Sequence, residues 1–551
     1  MSASSKKKLR KEQYNEILSE KQRQERAEAK KLKTYTICFV TAMVLVVCAA
    51  LGVLGMRAVN NSGIVQKNTV AATIGDKELN SVEMSYYYID AVNKFYDEIY
   101  NSYSDSADSY LKAMGLDTSI ALDQQTNAST GETWADYFLD AAIEQAASDY
   151  ALCDLAAQEN FEMHDHDQES IDSYLSNIEV YASLYGYSNA NQFLRANYGY
   201  GADMDSYREY YQRSSLAKAY YNAYPDTLSY DSDAIAAYDA ENAINFNSYT
   251  YTSCYLSYTY FRQGGTENDQ GNVTYSDEEN DAARDVMKTT AEELATATSV
   301  EELETMAQNV EVTGSTELSV SKSENALYSS INGTVAKWLT EEGRQEGDIA
   351  AIPNTSTTEN DDGEEVTTTN GYYVVIYHGV NKNETTMGNV RHLLVSFEGG
   401  TEDDETGKTV YSEEEKAAAK EAADKYLAEW KEGEATEESF IALVKEHSDD
   451  TSAEDGGLFE NVCPDGTYVA PFQNWALDEN RQVGDAEVIE TEFGYHVMYY
   501  VGASEMNYRT FMITEEMRAA DFEKWYSDLT KDITKTLGDT SKMTLGLIVA
   551  S

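Results

Sequence analysis

The feature that most restricts the fold is a series of landmarks that occurs twice in the same order. Gly264-Gly265-Thr266, Tyr275-Ser276, Trp338, Gly347-Asp348 and Gly371-Tyr372 return as Gly399-Gly400-Thr401, Tyr411-Ser412, Trp475, Gly484-Asp485 and Gly494-Tyr495. The spacing drifts between 123 and 137 residues, which locates insertions and deletions in loops and implies two related domains in tandem. In both copies a serine followed three residues later by glutamate (Ser276/Glu279 and Ser412/Glu415) precedes an alanine-containing stretch. That pattern predicts a capping box and a helix, since the serine accepts from the third backbone N–H while the glutamate reaches back.

The start of the chain carries a different message. Residues 1–33 hold eleven Lys/Arg against five Glu, and the uncharged apolar run Thr34–Met56 follows. As a helix, that run would span about 35 Å, enough to cross a bilayer with some tilt. A basic flank stays on the cytoplasmic side, so everything after Arg57 is expected outside. A cleaved signal peptide is the rival reading, but the region before the run is long for one and no small-x-small site ends it. The whole chain has a formal charge of −56, and +7 of formal charge lies in its first 57 residues, which leaves −63 beyond them. Nucleic acid is excluded as a partner for such a surface, because phosphate binding needs clustered Lys/Arg. Five scattered cysteines make neither a disulfide framework nor a zinc pattern.

Val70–Leu79 reads as strand, Gly-Asp turn and strand, and Asn80 then opens a helix with Glu83 at the capping-box position. Apolar residues at helical spacing predict further helices over 133–157, 168–185, 189–197, 204–224 and 232–243. This layout resembles the N-terminal chaperone domain of SurA- and PrsA-type foldases. A closing helix over about 514–537 shows one apolar stripe of Phe522, Trp525, Tyr526, Leu529 and Ile533. In the foldases that the layout resembles, such a helix packs back onto the chaperone domain.

The second copy carries the chemistry. Val390-Arg391-His392-Leu393-Leu394-Val395 is followed by helix 413–432 and by a second helix around Phe440. Next come His447-Ser448-Asp449-Asp450-Thr451-Ser452, Asp455-Gly456-Gly457-Leu458-Phe459, Tyr468-Val469-Ala470-Pro471-Phe472 and Thr491-Glu492-Phe493-Gly494-Tyr495-His496. In this order the segments resemble the parvulin family of peptidyl-prolyl cis/trans isomerases, of the PpiC type, over 385–503. The resemblance implies an α+β fold in which a four-stranded antiparallel sheet is surrounded by helices. It also implies a catalytic set of His392, Asp450, Thr491 and His496, and a proline pocket of Leu458, Tyr468 and Phe472. Asp450 takes the place where the family has Asp or Cys. Tyr468 departs from the methionine or other apolar residue usual there. The acidic loop 398–409 lacks the basic cluster of phospho-directed parvulins. No cofactor or metal is implied, and His164-Asp165-His166-Asp167 reads as a short solvated polar loop.

In the first copy the Gly-Gly-Thr register sets Ser257 against His392, and the Gly-Tyr register sets Tyr373 against His496. That copy is expected to be a degenerate, inactive parvulin-like domain.

The expected organisation is a cytoplasmic basic tail (1–33), a transmembrane anchor (34–56), a mainly helical chaperone-like domain (58–245), the degenerate copy (246–384), the isomerase domain (385–503) and a C-terminal helix (504–551). The expected function is a single-pass, membrane-anchored extracytoplasmic isomerase and chaperone, in a layout that suits a Gram-positive bacterium. Its partners would be unfolded or newly exported polypeptides with Xaa-Pro bonds. A non-catalytic holdase and an acidic cell-envelope structural or binding protein are the alternatives. The sequence leaves the oligomeric state open.

Overall fold

The computed structural model describes residues 3–267, 271–313, 317–359, 363–403 and 407–545, apart from the side chain of Asp105 and many side chains within the first helix. The chain divides into two compact units, Met1–Leu228 with Ala520–Ser551 and Ser229–Ala519. These boundaries cut differently from those read in the sequence. Both repeats fall in one unit, and the C-terminal segment is shared between the two.

The first unit opens with helix α1 (Ala3–Ser62). Among the described residues no helix is long and apolar enough to cross a membrane. The expected anchor 34–56 lies partly outside the described side chains, which omit 34–40 and, in the basic tail, 14–30. Residues 41–56, which are described, are exposed throughout.

Strands β1 (Val70–Ile74) and β2 (Lys77–Asn80) form the hairpin expected around Gly75. Asn80 caps α2 (Ser81–Tyr103) by accepting from the N–H groups of Val82 at 2.9 Å and Glu83 at 3.1 Å. The expected capping box does not close. The Glu83 carboxylate instead accepts from the Tyr150 hydroxyl at 2.6 Å and pairs with Arg213, a charge-assisted contact that outcompetes one backbone N–H.

Helices α3 (Trp134–Glu159), α4 (Asp165–Leu184), α5 (Ala190–Tyr198) and α6 (Met204–Thr227) follow within a few residues of their predicted spans. Tyrosine builds much of this core. Tyr86, Tyr87 and Tyr88 are buried on α2, and two of their hydroxyls find partners, Ser206 at 2.8 Å and the Leu545 carbonyl at 2.7 Å.

The second unit begins with α7 (Ser232–Asn242) and holds two four-stranded antiparallel sheets. In the first copy the strands are β3 (Ser248–Ser257), β4 (Val320–Leu327), β5 (Ile349–Glu359) and β6 (Glu365–Asn381). Its helices are α8 (Asp277–Leu294), α9 (Val300–Gln308) and α10 (Gly333–Leu339). In the second copy they are β7 (Thr386–Ser396), β8 (Leu458–Val462), β9 (Ala486–Glu490) and β10 (Gly494–Asn507). Its helices are α11 (Glu413–Glu432), α12 (Glu437–His447) and α13 (Ala470–Ala476).

Strand order is β4-β3-β6-β5 in one sheet and β8-β7-β10-β9 in the other, the same topology twice. Small irregularities repeat too. Asn325 (φ 49°) and Asn461 (φ 55°) sit at equivalent register breaks in β4 and β8. Arg344 stacks on Trp338 as Arg481 stacks on Trp475. Both capping boxes close, and Glu279 and Glu415 each also accept from a glycine N–H (Gly265 and Gly400) at 2.9 Å.

The last helix, α14, runs Tyr508–Leu529 rather than 514–537. Beyond it β11 (Lys535–Leu537) pairs with β1, placing Ala72 opposite Leu537. Residues 530–534 turn through bonds such as Ile533 N–H to the Thr530 carbonyl at 3.1 Å, and β-branched Thr536 suits the strand. The apolar stripe packs on α6, where Trp525 stacks on Tyr224 at 3.6 Å, but Ile533 leaves the helix and joins the core beside β1.

In the second unit, the buried Arg509 guanidinium holds α7 and the ends of both copies together. It donates to Asp239, to the carbonyls of Ala243, Phe246 and Lys382, and to the Asn247 side chain. Arg509→Met strands a half-buried carboxylate and three carbonyls, and should cost about 3–5 kcal/mol of unfolding free energy. Urea denaturation followed by tryptophan fluorescence measures this. A loss under about 1 kcal/mol would mean that the hub does not stabilise the unit.

Candidate active site

The site lies on one face of the second sheet. Alternation along β7 sends Leu393 to the face covered by α11 and α12, where it packs with Val497, Tyr499, Phe440 and Val444. Val390 and His392 point to the opposite face, beside Met498 and Tyr500 of β10 and under Phe472 and Trp475 of α13. The register pairs His392 with Met498 and Leu394 with His496. The two histidines are therefore diagonal neighbours on the same face, within reach of each other.

Their contact is the centre of the site. His392 Nδ1 and His496 Nδ1 are 2.8 Å apart, with the rings nearly coplanar at 18°. His496 Nε2 lies 2.8 Å from Thr491 Oγ1, and His392 Nε2 lies 3.3 Å from Ser452 Oγ and 3.6 Å from Asp450 Oδ1. His392, His496 and Thr491 are buried, whereas the Asp450 side chain keeps 28% exposure. A buried polar chain thus reaches solvent at Asp450.

The serine-aspartate run explains how Asp450 is held. Ser448 Oγ accepts from the Leu394 N–H at 3.0 Å and Asp449 accepts from the Ser396 N–H at 2.9 Å, stitching this segment to β7. Asp450 then caps the short turn Thr451–Asp455, accepting from the Ser452 N–H at 2.8 Å and the Ser452 hydroxyl at 2.5 Å. Gly456 and Gly457 end the turn at φ 71° and 66°, a backbone region that glycine tolerates best. A Cβ on Gly457 would meet the His392 carbonyl at 2.2 Å, so this position requires glycine for close approach as well.

Proton positions follow from the network. The His392 partner, Ser452 and the Asp450 backbone turn hold the Asp450 carboxyl well below the usual carboxylate range, so it is an acceptor. The Ser452 proton belongs to the short bond to Asp450, which leaves His392 Nε2 to donate towards both. With His392 donating from Nε2, its Nδ1 accepts, His496 donates from Nδ1, and the Thr491 hydroxyl donates to His496 Nε2 at 2.8 Å in preference to the more distant Gly494 carbonyl at 3.4 Å. Burial first, and the neighbouring His392 second, lower the His496 pKa to about 4. His496 therefore stays neutral at physiological pH.

Phe459, Tyr468 and Phe472 form an aromatic cluster against these rings. Phe459 and Phe472 stand edge-on to His392 at 5.0 and 5.4 Å, and Tyr468 stacks on Phe472 at 5.3 Å. Of the three residues expected in the pocket, Tyr468 and Phe472 are in this cluster. Leu458 is not, because as the neighbour of Phe459 on β8 it faces the other way. Phe459 takes its place. Two residues were thus missed as candidates, Phe459 and Ser452. Period-two alternation in Gly457-Leu458-Phe459 was the available signal for the first; the second had none beyond lying two residues after Asp450. His392, Asp450, Thr491 and His496 come together as expected.

The first copy lacks this arrangement. Matching Gly371–Ser257 to Gly494–Ser396 puts Ser253, not Ser257, at the His392 position and Tyr373 at the His496 position. The earlier register fails because the turn Tyr258–Phe261 adds residues between β3 and the Gly-Gly pair. On the same matching, Ser323 stands where the second copy has Phe459. Among the described residues no group of His, Cys, Asp or Glu is placed to hold a metal ion, and His164–Asp167 begins α4 rather than forming a loop.

Comparison with known proteins assigns the class. Residues 373–501 match the model of the PPIC-type PPIASE domain, starting within the last strand of the first copy. The chain therefore carries a peptidyl-prolyl isomerase domain of the parvulin class. Its structural neighbours include PrsA and SurA-like chaperones. The peptidylprolyl isomerase PrsA of Bacillus cereus is 24% identical over 27% of this chain and 50% of its own, with a TM-score of 0.17. A structure from work on two SurA-like chaperones of Campylobacter jejuni is 24% identical over 27% and 53%, with a TM-score of 0.16. The isomerase ESS1 of Candida albicans is 21% identical over 27% and 95%, with a TM-score of 0.15. The chain spans about half the length of the Bacillus cereus PrsA structure that it matches. No curated protein matches the chain.

The His496 titration makes stability depend on pH. Between its ordinary value of 6.5 and about 4 the unfolded chain takes up a proton that the folded chain refuses. The contribution is complete above pH 6.5 and is lost as pH falls from there towards 4. Urea unfolding at pH 7.5, 5.5 and 4.5 should show this decline, and His496→Gln should remove that part of it. An identical decline in the variant would contradict the depressed pKa.

Proposed function

We propose that the chain is an active peptidyl-prolyl cis/trans isomerase that assists the folding of exported polypeptides, with its second parvulin copy as the only catalytic one. The observation that carries this reading is the polar chain Thr491–His496–His392, continued to Asp450 through Ser452 and backed against Phe459, Tyr468 and Phe472.

Rotation about an X–Pro bond faces a barrier of about 18–20 kcal/mol, set by amide resonance. No bond to the enzyme is needed. In the proposed mechanism the aromatic cluster takes the proline ring out of water and fixes it, while the rest of the peptide turns. The twisted amide has lost its resonance, so its carbonyl and nitrogen differ in charge from either planar form. Fixed dipoles suited to that state accelerate the reaction without chemistry. The two imidazoles, each locked in one tautomer by its neighbours, supply such dipoles, and Asp450 polarises the chain from its solvent end.

Location and partners complete the proposal. Residues 34–56 would anchor the chain in a membrane, with the acidic remainder outside the cytoplasm of a Gram-positive bacterium. Support comes from the uncharged run behind a basic tail and from the exposure of the apolar residues 41–56, which find no protein partner to cover them. The helical first unit would act as the chaperone. The first parvulin copy, with Ser253, Tyr373 and Ser323 at the key positions, favours a binding or spacing role there.

Exchange NMR on an Ala-Xaa-Pro-Phe peptide with the intact chain tests the proposal. Catalysis by the wild type should fall by about tenfold or more in His392→Ala and in Phe459→Ala. Suppression of client aggregation should persist in both. Equal exchange in wild type and variants would refute the catalytic assignment and leave a holdase.

A further inference from the structure

A groove of about 850 Å³ in the first unit runs between α2, α3, α6 and the end of α14. Its apolar part is aromatic, with Phe95 edge-on to Phe138 at 5.5 Å and to Tyr137 at 6.1 Å. Its rim is acidic. Asp97 and Glu98 are exposed and, among the described residues, have no ion-pair partner, while Lys94 is the one cation in the lining. Glu144 is already paired with Lys535 at 2.6 Å. The chain's own returning end forms one wall through Tyr526 and Ser527, so that segment cannot also be the occupant.

We propose that this groove binds extended polypeptide segments that alternate apolar or aromatic side chains with Lys or Arg. This rests on the reading of the chain as a protein that acts on polypeptides, and adds where and with what preference it holds them. Aromatic rings accept an apolar side chain and tolerate many shapes. The unpaired carboxylates of Asp97 and Glu98 attract a neighbouring cation. Amide and hydroxyl side chains in the lining, such as Asn93 and Ser148, suit a peptide main chain. An anionic ligand meets repulsion at the rim and from the net charge of −56. The groove lies in the first unit and the isomerase site in the second, so the two activities are separable by substitution.

The test uses the intact chain and a fluorescein-labelled, proline-free peptide of alternating alanine, lysine and phenylalanine, with its glutamate-for-lysine counterpart. Fluorescence anisotropy should show the lysine peptide binding about tenfold or more tighter, with the gap narrowing as salt rises. The exposed double substitution Asp97→Lys/Glu98→Lys should abolish or reverse that preference, with unchanged turnover of a short Xaa-Pro peptide. Tyr137→Ala, at a half-buried ring of the lining, should weaken both peptides, and circular dichroism of each variant confirms its fold. A benzophenone in place of one phenylalanine should crosslink within 90–148, 210–214 or 526–530. An unchanged charge preference in the double variant, or crosslinks confined to other segments, would overturn the proposal. Absent isomerase turnover with the peptide preference intact would instead refute the catalytic reading and leave the groove standing.

Discussion

The register between β7 and β10 is the constraint on which the candidate site depends. Because Leu394 faces His496 and Met498 faces His392, the two imidazoles are diagonal neighbours on one face and close a 2.8 Å bond. A shift of one residue would turn one of these histidines towards the helices and bring Leu393 or Val497 into the site. The register is enforced from both sides. Leu393, Val497 and Tyr499 must pack under α11 and α12, and Val390, Met498 and Tyr500 must pack under α13. The polar chain is thus placed by two hydrophobic layers that it does not belong to.

The same device occurs twice in the chain with different results. The first copy keeps the strand order, the bulge asparagine, the Arg-on-Trp stack and the capping box. These features belong to folding, and they remain where the site has gone. Ser253 and Tyr373 cannot make an imidazole pair, and Ser323 opens the place that Phe459 fills in the second copy. The fold therefore does not depend on the site, as expected when packing sets the one and a few polar groups set the other.

Much of this was legible in the sequence because it is written in local chemistry. Capping residues and helical spacing located most of the long helices but not α9, α10 or α13, and ordered family motifs located His392, Asp450, Thr491 and His496. What escaped depends on direction or on distant partners. Leu458 was preferred to Phe459 because a motif names residues but not the face each one takes. Ser257 was set against His392 because a counted register cannot see the turn Tyr258–Phe261. The C-terminal helix was drawn too long because Lys535–Leu537 finds its partner in β1, more than four hundred residues earlier in the chain. Glu83 left its capping box for Arg213, which no local pattern announces.

The order of protons along the site is the claim most open to direct measurement. Nitrogen-15 NMR of histidine-labelled protein at pH 7.5 distinguishes bare from protonated ring nitrogens and so reads each tautomer. The expected spectrum shows a neutral His496 protonated at Nδ1 and a His392 that carries its proton at Nε2 with a bare Nδ1, and His496 loses this fixed tautomer in His392→Ala. A His496 protonated at Nε2, or charged at that pH, would contradict it.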